Sequence, residues 1–195
     1  MKFKSIGVFC ASSPGFDSIW TQSAYDLGTY LAQQGITLVY GGGRVGLMGA
    51  VADGALAHQG KVIGVIPHFL NSKEIGHAGV TELIDVDNMH QRKMKMNDLS
   101  EAIIALPGGF GTMEELFEMI TWAQLGLHQK PVGLLNINGF YNHLIAFVQN
   151  MVDVGLLNTQ NRDMLLVSDN IEDLLRKMDS YVAPDVPKWL SREKS

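Results

Sequence analysis

Two periods alternate along this chain. Short apolar runs recur at residues 4–10, 36–40, 61–66, 81–86, 102–106, 131–136 and 164–168, most of them bounded by glycine, proline or small polar residues. Such runs read as buried strands. The run at 81–86 is broken by Glu82 and Asp85 and predicts a more exposed strand. Helical spacing fills the intervals. Trp20, Ala24, Leu27 and Leu31 share one face of a helix over 17–34, which Gly35 ends. A second helix runs from Leu47 to about His58. Asn88 caps another, with Gln91 as its reciprocal partner and Met89, Met96 and Leu99 toward the core. Leu116, Met119, Ile120 and Ala123 mark a fourth, and further helices run over 140–154 and 171–178. Residues 67–80 read as irregular and hold His68, Lys73, Glu74 and His77; a loop of this length in a compact domain is often functional.

Strands alternating with helices predict an α/β protein with a mainly parallel sheet covered on both faces. Its ligand is then expected at the carboxyl ends of the strands. With no internal repeat or linker, residues 1–180 form one domain, followed by a loosely held tail over 181–195. The 195 residues suffice for a full core. A formal net charge of −5 argues against a nucleic-acid surface. Cys10 is alone and cannot form an internal disulfide, which fits a reducing cytoplasm; it reads as packing rather than a nucleophile. The opening residues lack the apolar region of a signal peptide, and no apolar stretch is long enough to cross a membrane.

The candidate chemistry concentrates in one stretch, Pro107-Gly108-Gly109-Phe110-Gly111-Thr112-Met113-Glu114-Glu115. It lies between a strand and a helix, so it presents a helix N-terminus with unpaired N–H groups and the positive end of a dipole, a setting for phosphate. The glycines let the backbone approach the anion and Thr112 adds a hydroxyl; a plain tight turn is the alternative. On a helical wheel Glu115 falls at the edge of the apolar stripe, whereas Glu114 and Glu118 point to solvent. The helix dipole favours ionised Glu115, suited to stabilising a cation or orienting water.

Gly41-x-Gly43-x-x-Gly46 follows a strand and opens a helix, as a dinucleotide fingerprint does. The next strand ends Ile66-Pro67-His68, without the acidic residue that would hold a ribose. The loop is better read as a phosphate or ribose contact through Gly42 and Gly43, or as close packing. Ser12 can bond a phosphate, a sugar or its own turn. Neither glycine loop carries the lysine of a P-loop, and the six histidines show no metal spacing. Arg92 and Lys93 are either surface charge or a phosphate-proximal pair, and arginine there stabilises charge rather than donating a proton.

The motif over 107–115 resembles the PGGxGTxxE signature of the LOG ("Lonely guy") family of cytokinin riboside 5'-monophosphate phosphoribohydrolases. Met89-His90-Gln91-Arg92-Lys93 resembles its second motif, and Val39 to Gly49 its upstream glycine loop, in the same order over about residues 5–180. The resemblance implies a Rossmann-like doubly wound fold and a homodimer with its sites near the interface, where Trp122 and Leu125 pack either between subunits or in the core. It implies hydrolysis of a nucleoside 5'-monophosphate to free base and ribose 5-phosphate, without cofactor or metal. The catalytic pair it implies is Arg92 with Glu115. The substrate contacts it implies are Glu74, Arg92, Lys93, Gly109, Phe110, Gly111, Thr112, Met113, Glu114, Glu115 and Thr121. Relatives often carry the label lysine decarboxylase, but no lysine here stands in a recognisable Schiff-base setting. Base preference stays open between N6-substituted adenine, AMP and GMP, and a non-catalytic carrier of a nucleotide or pterin-like cofactor is the other class of reading.

Overall fold

The structure is a computed structural model and describes residues 2–71 and 76–184. In chain order the elements are β1 (Ser5–Phe9), α1 (Ser18–Gln33), β2 (Thr37–Tyr40), α2 (Gly46–Ala57), β3 (Val62–Pro67), α3 (His68–Asn71), β4 (Glu82–Val86), α4 (Met89–Leu99), β5 (Ala102–Ala105), α5 (Phe110–Gln124), β6 (Val132–Leu135), α6 (Asn142–Asp153), α7 (Thr159–Arg162), β7 (Leu165–Ser168) and α8 (Ile171–Ser180), with a 3-10 turn at Ile137–Gly139. Helix α8 ends at Ser180, and the described residues continue to 184. From 185 onward the tail lies outside the described residues.

Among the described residues the strands form one sheet in the order β4-β3-β2-β1-β5-β6-β7. Every pairing is parallel. The chain winds outward from β1 to β4, crosses back, and winds out the other way from β5. The reversal beside β1 is a topological switch point, where the loops after β1 and β5 diverge and leave a crevice.

Strand alternation divides the core between the two faces. Ile6, Val8, Leu38, Tyr40, Ala102 and Ile104 pack with Leu27, Leu31, Val51 and Leu174, so α1, α2 and α8 cover one face. Phe9, Val39, Ile103 and Ala105 pack with Met96, Leu116, Met119 and Tyr141, so α4, α5 and the start of α6 cover the other. The edge strand β4 is half-exposed, as its acidic residues indicate.

Two four-residue helices, α3 and α7, fall where the sequence carries no helical period. The helix expected from Phe140 begins only at Asn142, because the 3-10 turn with Asn138 at φ 47° comes first. The capping of α4 is also displaced. Asn88 accepts from the Gln91 N–H at 3.0 Å as expected, but Gln91 Oε1 accepts from Asp87 N–H, also at 3.0 Å, rather than from Asn88. Met89 is exposed, not core-facing.

One hydrogen bond ties the fold to the site. Buried Tyr141 donates its hydroxyl to the Leu106 carbonyl at 2.6 Å. That carbonyl ends the strand run that launches the glycine motif. Tyr141→Phe removes the donor and leaves a buried acceptor unpaired, so thermal or urea unfolding is expected to show a loss of about 1–2 kcal/mol.

Candidate active site

The motif stretch after β5 forms a loop and the first turns of α5, as its residues require. Helices α1, α4, α7 and α8 are each capped by an Asp or Asn side chain, whereas α5 begins at Gly109 with no side-chain cap. Its first N–H groups are therefore open to a ligand. Gly109, Phe110, Gly111 and Thr112 line a cavity of about 390 Å³. Cys10 to Ser13 after β1, Gly41 and Gly43 after β2, Met48 on α2, Ile66 near the end of β3 and Leu70 on α3 complete the wall, and Arg92 and Glu115 reach it from α4 and α5. Ser12, Ser13, Thr112, Arg92 and Glu115 give it polar groups. Met48, Ile66 and Leu70 make the rest of the wall apolar.

Arg92 and Glu115 meet inside this wall. Arg92 Nη1 donates to Glu115 Oε1 at 3.0 Å, and both side chains are nearly buried. The guanidinium also donates from Nε to the Val65 carbonyl at 3.2 Å and from Nη2 to the Gly41 carbonyl at 3.5 Å. Gly41 makes this possible: a Cβ there would lie 1.8 Å from Nη2. Gly46, at φ 62°, lies against the backbone of Ser12. The upstream loop, which matched a dinucleotide fingerprint in spacing, thus uses these two glycines for close packing around the arginine and the β1 loop. Gly42 turns its own Cβ direction toward Ile66 and Leu83 and does not line the cavity; Gly43 and Ser12 do.

Burial decides the charge of Glu115. Desolvation raises its pKa to about 7, while the Arg92 cation opposes the rise. The expected ionised state, argued from the helix dipole, is therefore corrected: near neutrality the carboxyl is balanced between its two forms. Cys10 lines the same wall, and burial raises its thiol pKa, consistent with packing rather than nucleophilic chemistry.

Lys93 and its partners depart from expectation as well. Lys93 is buried, and its Nζ is paired with Glu114 and, at 2.9 Å, with Glu118 Oε2. Glu114 is exposed, but Glu118 is largely covered, so the two are anchors for a buried cation rather than merely solvated charges. Met113 is half-buried and packs on the core, and Thr121 is exposed outside the cavity wall. Trp122 is half-buried and packs against the core beneath α5. Glu74 lies outside the described residues. Among the described residues no group of three or more His, Cys, Asp or Glu side chains is placed to hold a metal ion.

Met48, Ile66 and Leu70 join the wall without a signal in the sequence that marks them. Leu70 is brought in by α3, and the chain after it is tied back by a Gly43–Gly76 bridge and by His77, whose Nε2 lies 3.0 Å from Asp53 Oδ1.

A parallel doubly wound sheet with a bare helix N-terminus, a guanidinium and a buried carboxyl around one cleft defines a Rossmann-like α/β protein whose cleft has the features of an anion site. Known proteins narrow the class. A family model described as "possible lysine decarboxylase" matches residues 48–178. The cytokinin riboside 5'-monophosphate phosphoribohydrolase LOG1 of Arabidopsis thaliana is 47% identical over 181 residues, covering 93% of this chain and 85% of its own. The enzyme LOG7 of the same plant is 48% identical, covering 92% and 83%. The probable enzyme LOGL3 of Oryza sativa subsp. japonica is 46% identical, covering 93% and 86%. The chain belongs to the LOG family. Among solved structures, a molybdenum cofactor binding protein from Rippkaea orientalis superposes with TM-score 0.68 at 24% identity, covering 92% of this chain and 98% of that one. A molybdenum cofactor carrier protein from Chlamydomonas reinhardtii gives 0.65 at 19%, covering 90% and 95%. At these identities the likeness is one of fold.

Proposed function

We propose that this protein hydrolyses the N-glycosidic bond of N6-substituted adenosine 5'-monophosphates, releasing the free base, a cytokinin, and ribose 5-phosphate. The observation that carries the reading is the Arg92–Glu115 contact at 3.0 Å, set in a cleft beneath an uncapped helix N-terminus. The phosphoribohydrolase relatives at 46–48% identity supply the reaction class.

The 5'-phosphate sits on the first N–H groups of α5 with Thr112 beside it, which fixes the anomeric carbon near Glu115. Departure of the base leaves positive charge on the ribose ring. Ionised Glu115 stabilises that charge or orients the attacking water, and Arg92 stabilises negative charge at the phosphate or the departing base. Water adds to the anomeric carbon, and its proton leaves with the base or to solvent. Met48, Ile66 and Leu70 offer an apolar wall for a purine. Ser12 and Gly43 are further substrate contacts by their place in the cavity wall, and Lys93, Glu114 and Glu74 by the family resemblance.

The decarboxylase description of the family model finds no support in Lys93, which lies beside Arg92 on α4. A Schiff-base lysine must be neutral to attack a carbonyl. Burial alone would lower the pKa of Lys93, but the Glu114 and Glu118 carboxylates together outweigh it and raise the pKa instead.

The reading includes a homodimer. Phe117 and Thr121 are exposed and lie four residues apart on α5, half-buried Leu125 follows at its C-cap, and Phe117 and Met94 are exposed apolar side chains. Thr121 faces away from its own cavity, so a substrate contact there belongs to the partner's site. Among the described residues no helix is long and apolar enough to cross a membrane, and the lone buried cysteine suits a cytoplasmic setting.

The test is a chromatographic assay with AMP and isopentenyladenosine 5'-monophosphate, with the unphosphorylated ribosides as controls. Base is expected from the monophosphates alone, faster from the isopentenyl substrate. Faster release from AMP would make the protein a general nucleosidase. No release from a folded sample, with tight nucleotide binding, would make it a carrier.

A further inference from the structure

Two adjacent cations on α4 meet adjacent anions on α5. Arg92 takes Glu115 on the cavity side, and Lys93 takes Glu114 and Glu118 one step round the helix. Successive helical residues point about 100° apart, so the contacts grip α5 from two directions. One ion pair alone leaves a helix free to roll about the line joining the charges; two set at an angle fix the roll. Glu114 and Glu118 lie four residues apart on one stripe of α5, so Lys93 spans its second and third turns. The Lys93 side chain is only 5% exposed, and its ammonium already faces two carboxylates. It does not line the cavity.

We propose that Lys93 is a positioning residue: with Glu114 and Glu118 it bolts the second and third turns of α5 to α4 and so holds Glu115 in register with Arg92. The inference rests on the hydrolase reading of the cavity and gives Lys93 a task beyond the substrate contact that the family resemblance implies.

The cluster also acts on the charge of Glu115. The groups facing that carboxyl are Arg92 and Lys93 from α4, Glu114 and Glu118 from α5, and Cys10 from the end of β1. Lys93 favours the ionised form, and Glu114 and Glu118 oppose it. Loss of Lys93 therefore makes Glu115 harder to ionise, and loss of Glu118 makes it easier.

The test compares Lys93→Met, Lys93→Arg and Glu118→Gln with wild type. The Glu115 titration is followed by carbon-13 NMR of labelled glutamate, assigned with Glu115→Gln, and turnover is measured on isopentenyladenosine 5'-monophosphate. Lys93→Met is expected to move the Glu115 midpoint to higher pH and lower kcat ~10- to 100-fold, with KM within about twofold. Lys93→Arg should restore most of kcat, and Glu118→Gln should move the midpoint to lower pH. Opposite shifts distinguish this role from general loosening, which moves both variants alike. A tenfold rise in KM for Lys93→Met at unchanged kcat would overturn the proposal, as would an unmoved midpoint or shifts of one sign. Should Lys93→Met fail to fold, the Glu118→Gln shift decides alone. If wild type releases no base, the hydrolase reading fails, and the NMR midpoints still test the clamp.

Discussion

Glu115→Gln is expected to lower turnover about 10³-fold while leaving nucleotide binding within a few-fold of wild type. Glutamine keeps the shape and can still accept a hydrogen bond from Arg92, but it carries no charge to meet the cation that forms on the ribose. The stability effect runs the other way. In the folded protein Glu115 holds its proton to about pH 7, against an ordinary value of 4.5, because burial penalises the charged form. The folded state then binds more protons than the unfolded chain between those values. Stability due to this group is greatest below pH 4.5, falls as pH rises through the window, and levels off above 7. A shift of this size corresponds to roughly 3 kcal/mol once the carboxyl is fully ionised. The neutral glutamine lacks that penalty. Melting curves at pH 6 and pH 8 should show the variant matching or exceeding wild type at pH 8, with a smaller change between the two. Turnover within tenfold of wild type would remove Glu115 from the chemistry; a variant clearly less stable at pH 8 would mean that the carboxylate contributes to the fold.

Such an opposition between activity and stability marks a group placed for chemistry rather than packing. It also explains what could be read in the residues beforehand. The strands were legible because their apolar runs bury on both faces of a parallel sheet, and even the exposure of β4 follows from Glu82 and Asp85. The edge position of Glu115 followed from helical spacing alone. Its protonation balance did not, because that depends on how completely α4 and the end of β1 cover it, and no local pattern encodes the cover.

Arg92 and Lys93 show the same limit. On α4 the buried positions include Arg92, Lys93, Met96 and Asn97, so the helix has no clean apolar stripe, and its cations look like a solvated face. Only the anions of α5 and the carbonyls of Val65 and Gly41 justify their burial. The strand order is equally nonlocal: nothing within β4 or β5 states that the chain returns past β1 between them. Leu70 joins the cavity wall because of where α3 is tied down, not because of any period in its own segment.

Arg92→Ala should have the second large effect, a fall in kcat/KM of about 10³-fold or more at pH 7. The guanidinium makes three contacts with good reason to be arginine: one carboxylate and two carbonyls, in directions that a planar fork can satisfy together and a point charge cannot. Arg92→Lys is therefore expected to recover little. Deleting one partner of a buried ion pair ordinarily destabilises by roughly 3–5 kcal/mol, since the other charge is stranded. Here the stranded group has an exit. Glu115 already titrates at about 7 and can take up a proton near neutral pH at small cost, so the variant should fold. Losing the Arg92 cation removes the strongest influence favouring the ionised form, and the Glu115 midpoint should rise further. The residual activity of Arg92→Ala should then move to higher pH than that of wild type. Added guanidinium at millimolar concentration should enter the space beside Gly41 and return part of the rate. Rescue together with the alkaline shift would place the arginine's charge in the reaction. An unshifted profile, with near-normal turnover, would leave Arg92 as a structural tie between α4 and the loops after β2 and β3.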